Sequence, residues 1–389
     1  MIRPRSIENL RLERVHLGVA LAEAVKAEAD DRGAERVVVV ASKTLSRETS
    51  ILDPVESALG SRHAGRFHET REHVPRDGVL DLARFLRERR ADLVLTIGGG
   101  TPIDTVKMAL LCLAEDVHTP ADLDRFAVSV REDGSRHTPD VASPPLRQIA
   151  APTTLSGAEF SDLSGCVDSE TRTKQLFSGR EIGPAAVVLD PTITLATPMP
   201  LWLSTGVRAI DHAVETLCSS APEPVADAGA LESLRLLGRS LPRTAERPDD
   251  LEARLDSQMG VWLACAGLNR VPYGASHGIG HQLGAVAAVP HGYTSCVMLP
   301  HVLDFNAAHT NEAQQRIADA LGSAGSPAGD VVRNLVAELG LPSRLREVGV
   351  ERHHFEAIAA GAMANAWVRA NPRPVETAGE ITGLLEHAY

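Results

Sequence analysis

The stretch that decides the fold is Asp92-Leu-Val-Leu-Thr-Ile-Gly-Gly-Gly-Thr-Pro-Ile-Asp-Thr-Val-Lys107. Its apolar first half predicts a buried strand over 92–97. The glycines Gly98 to Gly100 let the backbone turn sharply and let a ligand approach the backbone N–H groups. Thr101 is expected to cap the helix that follows, with Pro102 at the first helical position. Because the N-terminus of a helix attracts anions, this turn predicts a site for a diphosphate.

Further apolar runs place this strand in a parallel sheet. Strands that alternate with helices are typical of a parallel α/β domain. The hydroxyl-rich segment from Pro152 to Glu159 follows one of the predicted strands, at the edge where open α/β sheets bind ligands. Segment 128–145, rich in Gly, Ser, Asp and Pro, predicts a loop. The other strands are predicted at 37–41, 147–150 and 186–190, with helices at 18–32 and 78–90.

The pattern of the sequence changes after Asp190-Pro191. From about residue 200 onward, Ala-, Leu-, Arg- and Glu-rich helical patterns dominate. We therefore predict an α/β domain with a dinucleotide-binding parallel sheet at 1–191 and an all-α domain at 192–389. The predicted helices are interrupted by Pro- and Gly-containing segments at 242–249, 272–274, 290 and 325–329.

Charge and cysteine usage limit the classes of function. The formal net charge of −12 disfavours nucleic acids and anionic membranes as partners, since no basic surface neutralises their phosphates. The first residues, Met1 to Ser6, are charged and lack the apolar core of a secretory signal, and no apolar run is long enough to span a membrane. The five scattered cysteines indicate reduced thiols. We expect a cytoplasmic protein that acts on a small molecule.

A histidine cluster in the second half indicates where chemistry takes place. His277 and His281 are four residues apart and share one face of a helix, and His291 follows an interruption near Pro290. Imidazole is the commonest neutral metal ligand and titrates nearest neutral pH. The cluster therefore indicates metal binding or proton transfer. The alternative is that these histidines cap helices or face solvent.

Together these motifs resemble the iron-containing alcohol dehydrogenase superfamily, especially its maleylacetate reductase-like branch. The resemblance covers nearly the whole chain. The histidine spacing is its most specific part. The motifs that carry it are Gly98-Gly-Gly-Thr-x-x-Asp-x-x-Lys107, Pro152-Thr-Thr with Glu159, Asp190-Pro191, Gly206 with His212-Ala-Val-Glu215, His277-x3-His281-x9-His291-Gly292, Leu299-Pro-His-Val302 with Asn306, and Asn371-Pro-Arg373.

The resemblance implies a dehydroquinate synthase-like fold, in which an α/β domain binds NAD or NADP and an all-α domain holds Fe²⁺ or Zn²⁺. It also implies a homodimer. By matching position, His212, His277 and His291 would be the metal ligands, and His281 would lie beside the substrate and relay protons. The residues it places near the dinucleotide are Gly99, Gly100, Thr101, Asp104, Thr153, Thr154 and Lys174.

One position departs from the family. Arg208 stands where the family usually has an aspartate ligand, four residues before the first metal histidine, and an arginine cannot bind a cation. Asp211 is a poor substitute because neighbours on a helix point about 100° apart. Two interpretations remain open. Arg208 may replace the positive charge of the metal, as a catalytic residue that binds an oxyanion or carboxylate. Alternatively, three histidines still hold a metal, and Arg208 pairs with Asp211 or Glu215.

The end of the first predicted strand bears on the choice of cofactor. Alcohol dehydrogenases often carry an aspartate there for the adenosine ribose, whereas this chain has Ser42 followed by Lys43. We therefore expect both NADH and NADPH to be accepted. The leading function is NAD(P)-dependent hydride transfer to or from a carbonyl, alcohol or oxo-acid, as in alcohol dehydrogenases and maleylacetate reductases. The alternatives are a dehydroquinate synthase-like lyase and a non-catalytic homologue.

Overall fold

The computed structural model describes residues 9–131, 136–171, 173–268 and 270–389. The charged start, Met1 to Ser6, lies outside the described residues. The chain divides into two compact units, of which the first ends at Ala196 and the second begins at Thr197. The sequence places the boundary slightly earlier, at residue 191, because the last buried strand ends there.

A parallel sheet forms the centre of the first unit. Its strands are β1 (Arg14–Leu17), β2 (Val37–Ala41), β3 (His63–Phe67), β4 (Leu93–Gly98), β7 (Arg147–Pro152) and β10 (Ala186–Leu189). Within the described residues the sheet has six strands in the order β1-β10-β7-β4-β2-β3, and every neighbouring pair is parallel. Two antiparallel hairpins lie beside it, β5 (Ser129–Val130) with β6 (Arg136–His137) and β8 (Leu163–Val167) with β9 (Lys174–Ser178).

Helices cover both faces of this sheet. They are α1 (Leu21–Asp31), α2 (Lys43–Glu48), α3 (Leu52–Leu59), α4 (Arg76–Arg89) and α5 (Gly100–Ala114). Val38 and Val40 of β2 pack into the core that contains residues of α4 and α5. Val37 and Val39 pack into the opposite core with α1 and α3. Successive side chains of a strand point to opposite faces, so both faces of β2 must be apolar. This confirms the parallel α/β domain predicted from the unbroken valine run.

The second unit is helical, as predicted. Its helix α6 is buried from Trp202 to Leu217 except for Arg208, which is partly exposed. No described helix is long and apolar enough to cross a membrane. The helices are α6 (Met199–Leu217), α7 (Pro224–Glu246), α8 (Leu251–Ala264), α9 (Ala275–Ala287), α10 (His291–Ala320), α11 (Ala328–Glu338), α12 (Phe355–Ala364), α13 (Ala366–Arg369) and α14 (Ala378–Ala388).

Several local predictions were wrong. Thr101 does not cap α5, because the helix already begins at Gly100 and Gly99 occupies the capping position. Helix α1 begins at Leu21 rather than at residue 18, where Gly18 has a φ of +67°. Pro242 lies inside α7, which continues to Glu246. In 128–145, predicted to be a loop, the structure has the short strands β5 and β6, and residues 132–135 lie outside the described part.

The edge strands β1 and β3 were not predicted. Most residues of these two strands are at least partly exposed, and neither strand contains an apolar run. Strands β8 and β9 were also missed, since neither contains an unbroken apolar run.

Candidate active site

The glycine turn after β4 is shaped by close backbone packing. Gly98 has a φ of +151°, and a Cβ atom on it would lie 2.6 Å from Cγ of Pro102. A Cβ atom on Gly99 would lie 3.1 Å from the side chain of Thr154. The backbone N–H of Thr153 donates to the carbonyl of Gly98 at 2.9 Å. The turn therefore needs glycine, and it is fixed against the loop that follows β7.

This packing assembles a site suited to a diphosphate. The capping residue of α5 is Gly99, which has no side chain. It therefore provides no side-chain acceptor for the backbone N–H groups of the first helical turn. The hydroxyl of Thr154 lies 3.3 Å from that of Ser156, and Ser156 in turn borders Gly100. Backbone N–H groups at a helix N-terminus, beside glycines and hydroxyls, favour an anion. The predicted dinucleotide residues Gly99, Gly100, Thr101, Thr153 and Thr154 therefore lie together, and they fit a dinucleotide.

Asp104 belongs to a buried charged cluster behind this turn. Its Oδ1 lies 3.0 Å from Nζ of Lys107. Lys107 is fully buried and donates to the carbonyl of Leu163 at 2.8 Å. Glu159 lies nearby, and burial raises the pKa of its carboxyl to about 7. Sequence reasoning used Glu159 only as part of a motif, because the sequence does not show that it is buried.

The two other residues predicted to lie near the dinucleotide, Ser42 and Lys174, are on different elements of the first unit. Ala41 of β2 pairs with Ile97 of β4, so Ser42 follows its strand beside Gly98. Ser42 caps α2 by accepting from the N–H of Leu45 at 3.3 Å. Lys174 instead begins β9 and pairs with Val167 near the tip of the hairpin. Ser42 is thus at the edge of the sheet that carries the glycine turn, and Lys174 lies on a separate element.

His277 is the centre of the site in the second unit. It is fully buried on α9. Its Nδ1 lies 2.7 Å from Oε2 of Glu215 and donates to it, because a carboxylate only accepts. Its Nε2 lies 3.1 Å from Nδ1 of His212 on α6. The structure therefore brings together two of the three predicted metal ligands.

Glu215 and Asn371 determine where His277 lies. Gly274, the capping residue of α9, has no side chain, so the first N–H groups of the helix need other acceptors. Asn371 Oδ1 accepts from the N–H of Ala275 at 3.0 Å, and Glu215 Oε1 accepts from the N–H of Ser276 at 2.9 Å. The sequence predicted neither role. The only signal was that both residues belong to the family motifs.

Arg208 points toward Asp211. Its Nη1 donates to the hydroxyl of Ser295 at 3.1 Å and lies 3.7 Å from Asp211 Oδ2. The hydroxyls of Ser295 and Ser276 donate to the same carboxylate oxygen at 2.6 and 2.8 Å. The side chain of Arg208 is 11% exposed, and that of Asp211 is fully buried. The guanidinium is thus fixed at Nη1, and a small part of the Arg208 side chain remains exposed.

The charges of this cluster act on one another. Burial opposes ionisation of Asp211, but the positive charges of His277 and Arg208 lower its pKa well below the usual range. Burial, together with the charges of His277 and Arg208, lowers the pKa of His212. Burial and Arg208 oppose protonation of His277, yet Asp211 and Glu215 raise its pKa overall. The arginine is therefore balanced by an ionised aspartate, and His212 is neutral.

His281 and His291 lie apart from this pair. The rings of His281 and Trp367 have centroids 4.6 Å apart, and those of Trp367 and His277 are 5.6 Å apart. His281 and His291 have ring centroids 6.4 Å apart, and His291 is exposed at the start of α10. Trp367 therefore lies between His277 and His281. Sequence reasoning missed it, because a single tryptophan far along the chain gives no spacing signal.

A divalent metal fits the predicted position poorly. The donor atoms that all lie within 4.8 Å of one another belong to Asp211, Glu215 and His277, which is not the predicted set of three histidines. Both ring nitrogens of His277 already have partners. Arg208 adds a fixed positive charge that acts on both His212 and His277. Since like charges repel strongly in a buried site, the residues present disfavour a divalent cation there.

Comparison with known sequences shows the class of protein to which this chain belongs. The family model for iron-containing alcohol dehydrogenase matches residues 13–191. The model for the C-terminal part of the Fe-containing alcohol dehydrogenase family matches residues 202–389. The chain is therefore an oxidoreductase of the iron-containing alcohol dehydrogenase family, which confirms the resemblance found in the sequence.

Particular relatives cover almost the whole chain. Dehydrogenase ALT3 of Alternaria alternata is 34% identical, over 92% of this chain and 99% of that protein. The maleylacetate reductase of Burkholderia cepacia is 32% identical, over 97% of this chain and 96% of that protein. The crystal structure of maleylacetate reductase from Agrobacterium tumefaciens has a TM-score of 0.83 and 26% identity, covering 100% of this chain and 99% of that one.

Proposed function

We propose that this protein is an NAD(P)H-dependent reductase that transfers hydride to an oxo-acid. The observation that carries this proposal is the position of Arg208. It is held by Ser295 and Asp211, its charge acts on His212 and His277, and a small part of its side chain remains exposed. A fixed guanidinium is the preferred partner of carboxylates and oxyanions, which it can bind with two parallel hydrogen bonds.

The first unit would bind the dinucleotide. The glycine turn, the first turn of α5 and the hydroxyl of Thr154 fit its diphosphate, as described above. A bound nicotinamide supplies the hydride, which is the difficult part of the chemistry. Ser42 leaves room for the 2′-phosphate of NADPH, since no carboxylate stands at its position to repel it.

The second unit would hold the substrate. Arg208 would bind a carboxylate of the oxo-acid or stabilise the negative charge that develops on the carbonyl oxygen, a role otherwise performed by a Lewis acid. The described contacts of Arg208 run through Nη1, so its pairing with Asp211 leaves the rest of the guanidinium for the substrate. His281, more accessible than His277, would give a proton to the product oxygen, since imidazole titrates near neutral pH.

The relatives support the substrate class. Two proteins named maleylacetate reductase cover most of this chain at 32% identity. The names of other relatives, such as a 1,3-propanediol dehydrogenase from Citrobacter freundii at 30% identity, indicate simple alcohols instead. Arg208 favours the first group, because an uncharged alcohol or aldehyde has no carboxylate to pair with a guanidinium.

The test is to follow NADH and NADPH oxidation with maleylacetate and with simple aldehydes. We expect both cofactors to work, with a preference below about a hundredfold, or about 2.7 kcal/mol. We expect maleylacetate or a related oxo-acid to exceed the aldehydes in kcat/KM. Equal or better reduction of the aldehydes would contradict the substrate class. No oxidation with any carbonyl compound would indicate a non-catalytic homologue.

A further inference from the structure

Glu159 is a buried acid that the proposed reaction does not use. It lies in the short turn Ala158–Phe160, directly after Gly157. Glu159 is only 3% exposed, and its Oε2 has no hydrogen-bond partner among the described residues. An ionised carboxylate without a partner is costly to bury. A buried polar atom of this kind therefore calls for a physical explanation.

The charges that act on Glu159 come from helix α5. They are those of Lys107, which favours ionisation, and Asp104, which opposes it. Lys107 lies 3.0 Å from Asp104 Oδ1, so its charge is already matched. The buried ammonium of Lys107 thus interacts with two carboxyl groups, and it forms its ion pair with Asp104. Burial raises the pKa of Glu159 to about 7, so near neutral pH this group is present in both its protonated and its ionised form.

Glu159 also lies next to the glycine turn. A Cβ atom on Gly100 would be 3.2 Å from the hydroxyl of Ser156 and 3.7 Å from Cβ of Ala158. The residue that follows Ala158 is Glu159 itself. The turn that carries Glu159 therefore packs against the first turn of α5, which is the part of the structure suited to a diphosphate, and the Glu159 carboxyl interacts with Lys107 and Asp104 of the same helix.

We propose that Glu159 makes dinucleotide binding depend on pH, because it must carry its proton when a dinucleotide diphosphate binds at the glycine turn. This inference rests on the dinucleotide-binding part of the proposed function. An ionised Glu159 would add an unpaired negative charge beside the diphosphate, and repulsion between like charges is strong away from water. Binding is therefore accompanied by the uptake of a proton.

The affinity for the dinucleotide changes with pH in a direction that follows from the linkage between proton binding and dinucleotide binding. The bound diphosphate favours the protonated form of Glu159, so its pKa is higher in the complex than in the free protein. Affinity is then greatest below the pKa of the free protein and falls as pH rises through about 7. If the pKa is one unit higher in the complex, the affinity for NADH falls about tenfold in total, and about fivefold of this loss lies between about pH 6 and about pH 8.

The test is calorimetric titration of the full-length protein with NADH at about pH 6, pH 7 and pH 8. At neutral pH the titration is repeated in two buffers with different ionisation enthalpies, which reveals proton uptake directly. Glu159→Gln mimics the protonated acid, so this variant should keep the low-pH affinity at high pH and take up no proton. Glu72→Gln removes an exposed carboxylate from the same unit and should behave as the unmodified protein does.

The results of the titration distinguish a failure of the proposed role of Glu159 from a failure of the proposed dinucleotide-dependent function. Binding of NADH with equal affinity at each pH and no proton uptake would overturn the role of Glu159 and leave the proposed function intact. Unchanged pH dependence in the Glu159→Gln variant would overturn it as well. If NADH does not bind at any pH, the dinucleotide-dependent function is itself wrong, and the inference falls with it. If the variant does not fold, the proton uptake of the unmodified protein decides.

Discussion

At the scale of single residues, the role of Arg208 depends on its partners. An arginine in place of a metal-binding aspartate changes the charge at that position from −1 to +1, and the sequence alone left two interpretations of this change. The structure pairs Arg208 with Asp211 at 3.7 Å and with Ser295 at 3.1 Å. The pairing with Asp211 is the one expected under the second interpretation, whereas the absence of a donor cluster made of His212, His277 and His291 among the described residues favours the first.

Removal of the guanidinium should affect oxo-acids selectively. Arg208→Ala is expected to lower kcat/KM for an oxo-acid by about a hundredfold, because a charge-assisted hydrogen bond to a carboxylate contributes up to about 3 kcal/mol. Arg208→Lys should retain part of the activity. The measurement is NADH oxidation with an oxo-acid and with a simple aldehyde, because general damage to the fold would lower both rates equally.

The matched control is Arg235→Ala, which removes an exposed arginine that pairs with Glu232 on α7. This variant should have the kinetics of the unmodified enzyme. An Arg208→Ala variant that reduces the oxo-acid at the normal rate would show that Arg208 does not contact the substrate.

At the scale of secondary-structure elements, the site depends on how α9 begins. The N–H groups of Ala275 and Ser276 are accepted by Asn371 and Glu215, which lie 96 and 61 residues away in sequence. Asn371 is also paired with Asn306 through two hydrogen bonds of 2.7 and 3.1 Å. These contacts are long-range, so no local pattern could reveal them. The spacing of His277 and His281 could be found because it is local to one helix.

Loss of the distant cap should destabilise the second unit. Asn371→Ala leaves the N–H of Ala275 and the side chain of Asn306 without their partner, and each such buried polar group costs about 1–3 kcal/mol. We expect the free energy of unfolding in urea to fall by at least about 2 kcal/mol.

For comparison, Asn311→Ala removes an exposed amide on α10 and should change the free energy of unfolding by less than about 0.5 kcal/mol. Equal effects of the two substitutions would show that Asn371 does not stabilise the start of α9.

At the scale of the whole molecule, regular patterns were predictable and long-range geometry was not. The valine run of β2 and the glycine turn predicted the parallel sheet, because a strand covered on both faces must be apolar throughout. The edge strands β1 and β3 have no such run and were missed. The histidine motif predicted the family, whereas the buried position of Glu159 and the stacking of Trp367 required the structure. The homodimer implied by the family stays a prediction.

We propose that a fixed guanidinium, rather than a metal ion, supplies the positive charge in the substrate site. Metal analysis of the purified enzyme before and after treatment with a strong chelator, combined with NADH oxidation by an oxo-acid, tests this claim most directly. We predict full activity after chelation, with far less than one equivalent of iron or zinc bound per chain. Activity that is lost on chelation and restored by added Fe²⁺ or Zn²⁺ would contradict the account.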